Sequence, residues 1–209
     1  MKIQPEELEA AGYVPFHELP HDQIIPFVQE SLKKPSKARM VYRWVAFGGL
    51  ALLIIIGVWL AVEGFQRPTD LLAWFGGAVL ASLLLIPLHE WIHMWEYKRC
   101  GAKQAKMTAH WKRFYFLATA HRFVTSRDEL RRVALAPFLL ISSLLAIGIL
   151  ATVGFSIPLA WFFASMLVVH SSFCSGDFAM LAFVEQRGGD VVLYDDEELK
   201  SSFFLEKAK

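Results

Sequence analysis

The chain has 209 residues, a formal net charge of +1, and 55% hydrophobic residues. Its mean hydropathy of +0.39 is too apolar for an ordinary water-soluble globule of this length. The net charge says nothing about nucleic acid, but no basic stripe with interleaved aromatics appears, so no nucleic-acid partner is expected.

The chain starts polar (Lys2, Gln4, Glu6, Glu7) and carries Pro5, Pro15, Pro20, Pro26 and Pro35 in its first forty residues. No apolar h-region or small-residue cleavage site follows Met1, so no removed signal peptide is expected. Residues 1–40 read as an irregular cytoplasmic lead-in with one interfacial helix over Gln23 to Lys34. Residues 41–186 read as a membrane-embedded core. Trp44 to Val62 and Leu71 to Leu88 carry no charged side chain, and a helix needs about 20 apolar residues to cross the hydrocarbon core. Val133 to Val169 is uncharged for nearly twice that length, and Gly154, Ser156 and Pro158 offer a turn in its middle. Two helices are expected there, which makes four spans.

Between spans two and three, Gln104 to His110 and Phe114 to Val124 are strand-like in composition and flank Trp111 to Arg113, as in a small β-hairpin. From Arg187 the chain becomes acidic (Asp190, Asp195, Asp196, Glu197, Glu198), so residues 187–209 read as a solvated cytoplasmic tail. The expected class is an all-α membrane protein of about four transmembrane helices with one small cytoplasmic β-hairpin. Cys100 and Cys174 lie in segments of different kinds, so neither a disulfide nor a zinc-type cysteine pair is expected.

Basic residues flank the spans almost entirely on one side, the loop from Glu63 to Asp70 holding only Arg67. Lys33, Lys34, Lys37, Arg39 and Arg43 precede span one; Lys98, Arg99, Lys103, Lys106, Lys112 and Arg113 follow span two; Arg127, Arg131 and Arg132 lead into span three. The loops on the opposite side are nearly bare of Lys and Arg. The positive-inside rule then predicts a multi-pass cell-membrane protein with both termini and the middle loop in the cytoplasm.

The chemistry begins in span two, with His89-Glu90-Trp91-Ile92-His93, an HExxH motif. Residues four apart share a helix face, so both imidazoles can bind one ion, and Glu90 can take a proton from a zinc-activated water. Three ionisable residues within five, inside an apolar run, are costly: insertion scales charge about 2.5–3.5 kcal/mol for an acid or base at a helix centre. A structural polar cluster is the bland alternative, but a divalent cation supplies the missing partner more simply. Asp177, on the span that runs the same way, falls at nearly the same depth and is expected as the third ligand. Two histidines, one carboxylate and an open position describe a catalytic rather than a closed structural zinc site.

His170 lies two turns before Asp177. It is expected to polarise a substrate carbonyl, to orient a ligand, or simply to pack between helices. Cys174 reads as a core residue rather than a fourth ligand. His110 and His121 read as surface residues of the hairpin, and Pro87 as a kink beside the motif.

The HEWIH motif in an apolar helix, the strand-like segment after it, Leu135-Ala136-Pro137, and Ser175-Gly176-Asp177-Phe178-Ala179-Met180-Leu181 together resemble the bacterial membrane zincin peptidases. These are relatives of the site-2 protease group of intramembrane metalloproteases. The resemblance runs from about Leu71 to Glu198. It implies zinc held by His89, His93 and Asp177, with Glu90 as general base. Site-2 proteases usually carry an Asn about eight residues before an Asp-Gly; here Asp177 follows Gly176 and precedes Phe178, and His170 stands near the Asn position.

The expected function is an intramembrane zinc metallopeptidase that hydrolyses peptide bonds of membrane-embedded protein or peptide substrates. Its partners are then the substrate and the lipid bilayer. A non-proteolytic metal-binding membrane protein (a transporter, a sensor or a substrate-binding chaperone) is the alternative. The outer halves of the spans are poor in ionisable residues, which disfavours a transporter, and the intact Glu90 disfavours a chaperone.

Overall fold

The computed structural model describes residues 2–110 and 115–208. The chain divides into two compact units, each built from separated stretches. Met40–His89 and Pro137–Ser175 form a helical unit; Met1–Arg39, Glu90–Ala136 and Gly176–Lys209 form a unit that contains the sheet.

The helical unit is made from the apolar runs. Lys37–Arg43 (α2) continues through a π turn at Trp44–Gly48 into Gly49–Val62 (α3). It is followed by Pro68–Arg99 (α4), Arg127–Thr152 (α5) and Ile157–Phe173 (α6); α2, α4 and α5 each extend into the other unit. Helix satisfies every backbone group internally, which apolar segments require. Some of their hydroxyls return to the same backbone: Thr152 Oγ1 donates to the Gly148 carbonyl at 2.7 Å and Ser171 Oγ to that of Leu167 at 2.7 Å. Leu53, Leu60, Leu71 and Trp161 make a buried cluster, and Trp161 Nε1 donates to the Leu71 carbonyl at 3.0 Å. Glycines admit the rings: a Cβ on Gly57 would stand 2.7 Å from Trp161, and one on Gly148 would stand 2.9 Å from Phe163. Such small-residue seats are a general device for packing apolar helices closely.

Lys37–Val62, Pro68–Arg99 and Arg127–Thr152 are each long and apolar enough to cross a membrane. The expected fourth span is corrected in one respect. It is not one straight helix: α6 ends at Phe173, Cys174 leaves the helix, and a second helix, Ser175–Arg187 (α7), begins. Ser175 and Gly176 are weak helix formers, and the chain breaks just before them.

The sheet unit corrects the all-α expectation. Tyr13–Pro20 (β1), Thr125–Ser126 (β4), Val191–Asp196 (β5) and Ser201–Lys207 (β6) form an antiparallel sheet in the order β1-β6-β5-β4. The lead-in is therefore not irregular, since β1 pairs with β6 from Tyr13↔Lys207 to Pro20↔Ser201. Nor is the acidic tail solvated throughout: Leu193 and Phe204 are fully buried, and Asp195 and Asp196 are buried too. The expected helix near Gln23 to Lys34 is present as Ile24–Ser31 (α1). The expected hairpin is also present, as Ala105–His110 (β2) against Tyr115–Ala120 (β3); its turn at Trp111 to Arg113 lies outside the described residues.

Phe16, Phe27, Phe183 and Phe204 fill this unit, with Phe27–Phe183 and Phe183–Phe204 ring centroids 5.0 Å apart. Burying an acidic strand requires acceptors to be satisfied. Asp195 accepts from Ser202 Oγ at 2.6 Å and from the Ala120 amide at 3.3 Å. Burial nevertheless pushes its carboxyl up to about 6. Asp196 accepts the Glu198 and Leu199 amides, which closes the β5–β6 turn, and pairs with Arg122 at 3.2 Å. Two further ties fix the helices: Ser126 and Glu129 form a reciprocal capping box at the start of α5, and Gln186 Nε2 donates to the Ser31 carbonyl at the end of α1 at 2.9 Å.

Candidate metal centre

Helix α4 runs unbroken through His89, Glu90 and His93, with Pro87 inside it. A turn of helix brings residues one and four apart together, and the ligand-capable atoms of these three lie within 4.8 Å of one another. His89 and His93 are buried, at 6% and 7% exposure. Glu90 is half-buried.

His93 is held from two sides. Its Nδ1 lies 2.9 Å from the Val133 carbonyl, and its Nε2 lies 3.0 Å from Asp177 Oδ1. A carbonyl only accepts, so a hydrogen sits on Nδ1, and Nε2 faces the carboxylate either as the second N–H of an imidazolium or as a lone pair turned to a bound cation. Only a cation reconciles a lone pair with a carboxylate at that distance, and both a proton and a metal ion qualify. The partner of Nδ1 is available because α5 contains Pro137. Proline has no N–H, so the carbonyl four residues earlier, that of Val133, gets no helical hydrogen bond from it. The Leu135-Ala136-Pro137 step thus gains a role that its resemblance alone did not imply: its proline stands four residues after Val133.

In the helical unit, the other histidine of the motif has its own neighbours. His89 Nδ1 lies 3.4 Å from His170 Nε2, and Cys174 Sγ lies 3.8 Å from the same nitrogen. His89, His170 and Cys174 form a second group with ligand atoms within 4.8 Å, all three buried. His170 thus stands against a motif histidine, and Cys174 stands beside it rather than in unrelated core. His121 is placed elsewhere: it lies beside β5, where its Nδ1 accepts the Glu197 amide at 3.2 Å.

The donor set fits zinc. Neutral imidazole nitrogens and one carboxylate are its usual protein ligands at catalytic sites, and a backbone carbonyl on the far nitrogen of a ligating histidine is the common outer partner. At 3.0 Å His93 and Asp177 stand at hydrogen-bond distance, a few tenths of an ångström closer than two ligands of one tetrahedral ion.

Comparison with known families finds one match over this region. A family model described as putative zincin peptidase aligns with residues 82–190. No curated protein and no solved structure matches the chain.

Proposed function

The chain belongs to the putative zincin peptidase family, and on that premise we propose that it is an intramembrane zinc metalloendopeptidase acting on membrane-embedded protein substrates. The family points to a metallopeptidase with zinc as its cofactor; the residue roles and the site-2-protease-like manner of working are our reading. His89, His93 and Asp177 would hold the ion, and Glu90 would serve as the base. The observation that carries this is the placement of His93 between the Val133 carbonyl and the Asp177 carboxylate.

When bound, zinc supplies a Lewis acid that polarises the scissile carbonyl and brings the pKa of a water down to about 7. The protein's own groups do the rest. Val133 fixes the tautomer of His93 and so the direction of its ligating nitrogen. His170, at 3.4 Å from His89 Nδ1, is better placed to orient that ligand than to reach a substrate oxygen. Glu90 takes a proton from the attacking water and returns it to the leaving amine, a service worth about 10²- to 10⁴-fold in rate. A substrate unwound into an extended strand can add to an edge of the β2–β3 hairpin, where main-chain hydrogen bonds hold it without regard to its sequence.

The apolar helices, together with the one-sided basic residues, support a multi-pass membrane protein with both termini in the cytoplasm. Cysteine variants near Gln66 and Ser156 should label from outside intact cells; labelling of residues 100–132 instead would reverse this orientation.

The test of function pairs metal analysis with substrate lifetime. Wild type and Glu90→Gln should each hold about one zinc, whereas His93→Ala and Asp177→Asn should lose most of it. Single-span membrane substrates should persist in cells expressing Glu90→Gln and disappear with wild type at matched levels. Equal lifetimes across a broad screen, with zinc present in both proteins, would favour the non-proteolytic alternative.

A further inference from the structure

The His89–His170–Cys174 group has the geometry of a donor set in its own right. The 3.4 Å separation of His89 Nδ1 and His170 Nε2 is long for a hydrogen bond between ring nitrogens, whose usual range centres near 2.9–3.0 Å. It is close to what a shared ion would impose. With metal–nitrogen bonds of about 2.0–2.1 Å and a metal–sulfur bond of about 2.3 Å at tetrahedral angles, two nitrogens stand about 3.3 Å apart and nitrogen and sulfur about 3.6 Å. The corresponding distances here are 3.4 Å and, from Cys174 Sγ to His170 Nε2, 3.8 Å.

The three side chains are at most 6% exposed, and Cys174 is wholly buried. The break after α6 makes Cys174 the C-cap of that helix. Its thiol lies against the His170 carbonyl at 3.3 Å, so the sulfur stays on the same turn as the imidazole. Histidine nitrogens with one thiolate select thiophilic ions over magnesium or calcium.

We propose that His89, His170 and Cys174 form a second, weaker metal position that takes a thiophilic divalent ion and fills only when zinc is in excess of the proposed catalytic centre. It shares His89 with the HExxH motif and is distinct from the His93–Asp177 pair. Binding forms a metal–sulfur bond and the thiol proton leaves to water; when the other nitrogen of His89 already holds the first ion, the Nδ1 proton leaves to water as well, so occupancy rises with pH and with free zinc. His89 meets this position through Nδ1. An ion there therefore changes the electron density of a ring that also belongs to the motif, and couples excess zinc to the proposed catalytic centre.

The probe is cobalt(II), titrated into the full-length chain in detergent after chelator treatment. A thiolate ligand gives a sulfur-to-cobalt charge-transfer band in the near ultraviolet, which nitrogen and oxygen ligands do not. Wild type, Cys100→Ser and His93→Ala should show the band; Cys174→Ser and His170→Ala should lose it. Loss of zinc from His93→Ala with the band retained separates this position from the one proposed for catalysis. No band in wild type, or a band that survives Cys174→Ser, would overturn the proposal. Cadmium-113 resonance of the wild-type protein alone covers the case in which a variant misfolds. A downfield, thiolate-type signal within two equivalents is expected, and signals of nitrogen and oxygen type only would equally overturn it.

Discussion

The two units solve opposite solvation problems with one chain. In the helical unit, Leu84, Val62 and Leu150 are 79%, 77% and 75% exposed, and the hydroxyls of Thr152, Ser171 and Ser172 bond back to their own helix. In the sheet unit, Asp195 and Asp196 are buried, while a long-range network of serine, backbone amide and arginine compensates them. Apolar exposure on that scale marks a surface meant for something other than water. Buried, compensated acids mark a unit that folds by the ordinary rules of aqueous proteins. Helix α4 belongs to both units, His89 being the last residue of one stretch and Glu90 the first of the next.

The sharpest way to break this comparison is to place the same charge on an exposed leucine of each unit. Leu84→Lys should cost up to about 2.5–3.5 kcal/mol if Leu84 faces lipid, read as loss of membrane-inserted protein. Leu199→Lys, in the β5–β6 turn and 65% exposed, should stay within about 0.5 kcal/mol. Equal tolerance at both positions would remove the distinction.

A second experiment separates stability from metal affinity. Pro137→Ala gives α5 an N–H that competes with His93 for the Val133 carbonyl. Zinc affinity should fall by about 10- to 100-fold, the usual cost of losing an outer partner. The helix itself should gain, because proline in a helix interior costs about 3 kcal/mol. Weaker zinc binding together with a higher melting temperature is the expected pair of outcomes; unchanged affinity would show that Val133 does not orient His93.

The smallest effect belongs to the sheet unit and to pH. Burial raises the Asp195 carboxyl to about 6 from an ordinary value near 3.8. The folded state therefore holds this proton more tightly than the unfolded chain does. Its contribution to stability is fully present below the ordinary value and is lost as pH rises through about 6. Between pH 4.5 and 7 the melting temperature should decline more steeply for wild type than for Asp195→Asn, by a few degrees at most. Parallel slopes would place the pH dependence elsewhere.

Much of the helical unit was legible because its signals are local. The uncharged runs, the spacing of His89 and His93, and the strand-like pair after span two each lie within a short window of sequence. The sheet was not legible, because its evidence is distributed. β1 reads as broken chain on account of Pro15 and Pro20; it tolerates them as an edge strand with a bulge between Pro15 and His17, paired on one side only. β5 looks like a solvated tail because Tyr194 is followed by two aspartates. Their partners, Ser202, Ala120 and Arg122, are scattered along the chain, and β1 finds β6 across almost its whole length. The region aligned with the family, residues 82–190, also stops short of β5. Within the site, Glu90 and the two motif histidines were readable. The Val133 carbonyl was not, since every residue has one, and the break at Cys174 carries no proline to announce it.

That break gives the third proposed ligand an electrostatic setting which an uninterrupted span would have denied it. A straight helix would have carried Asp177 in its middle, with every nearby amide already committed to a carbonyl one turn back. Because α7 starts afresh at Ser175, Asp177 falls in its first turn, where backbone N–H groups have no intrahelical acceptor and the aligned peptide dipoles present their positive end. An aspartate there has part of its negative charge balanced by the main chain, and zinc need supply only the remainder.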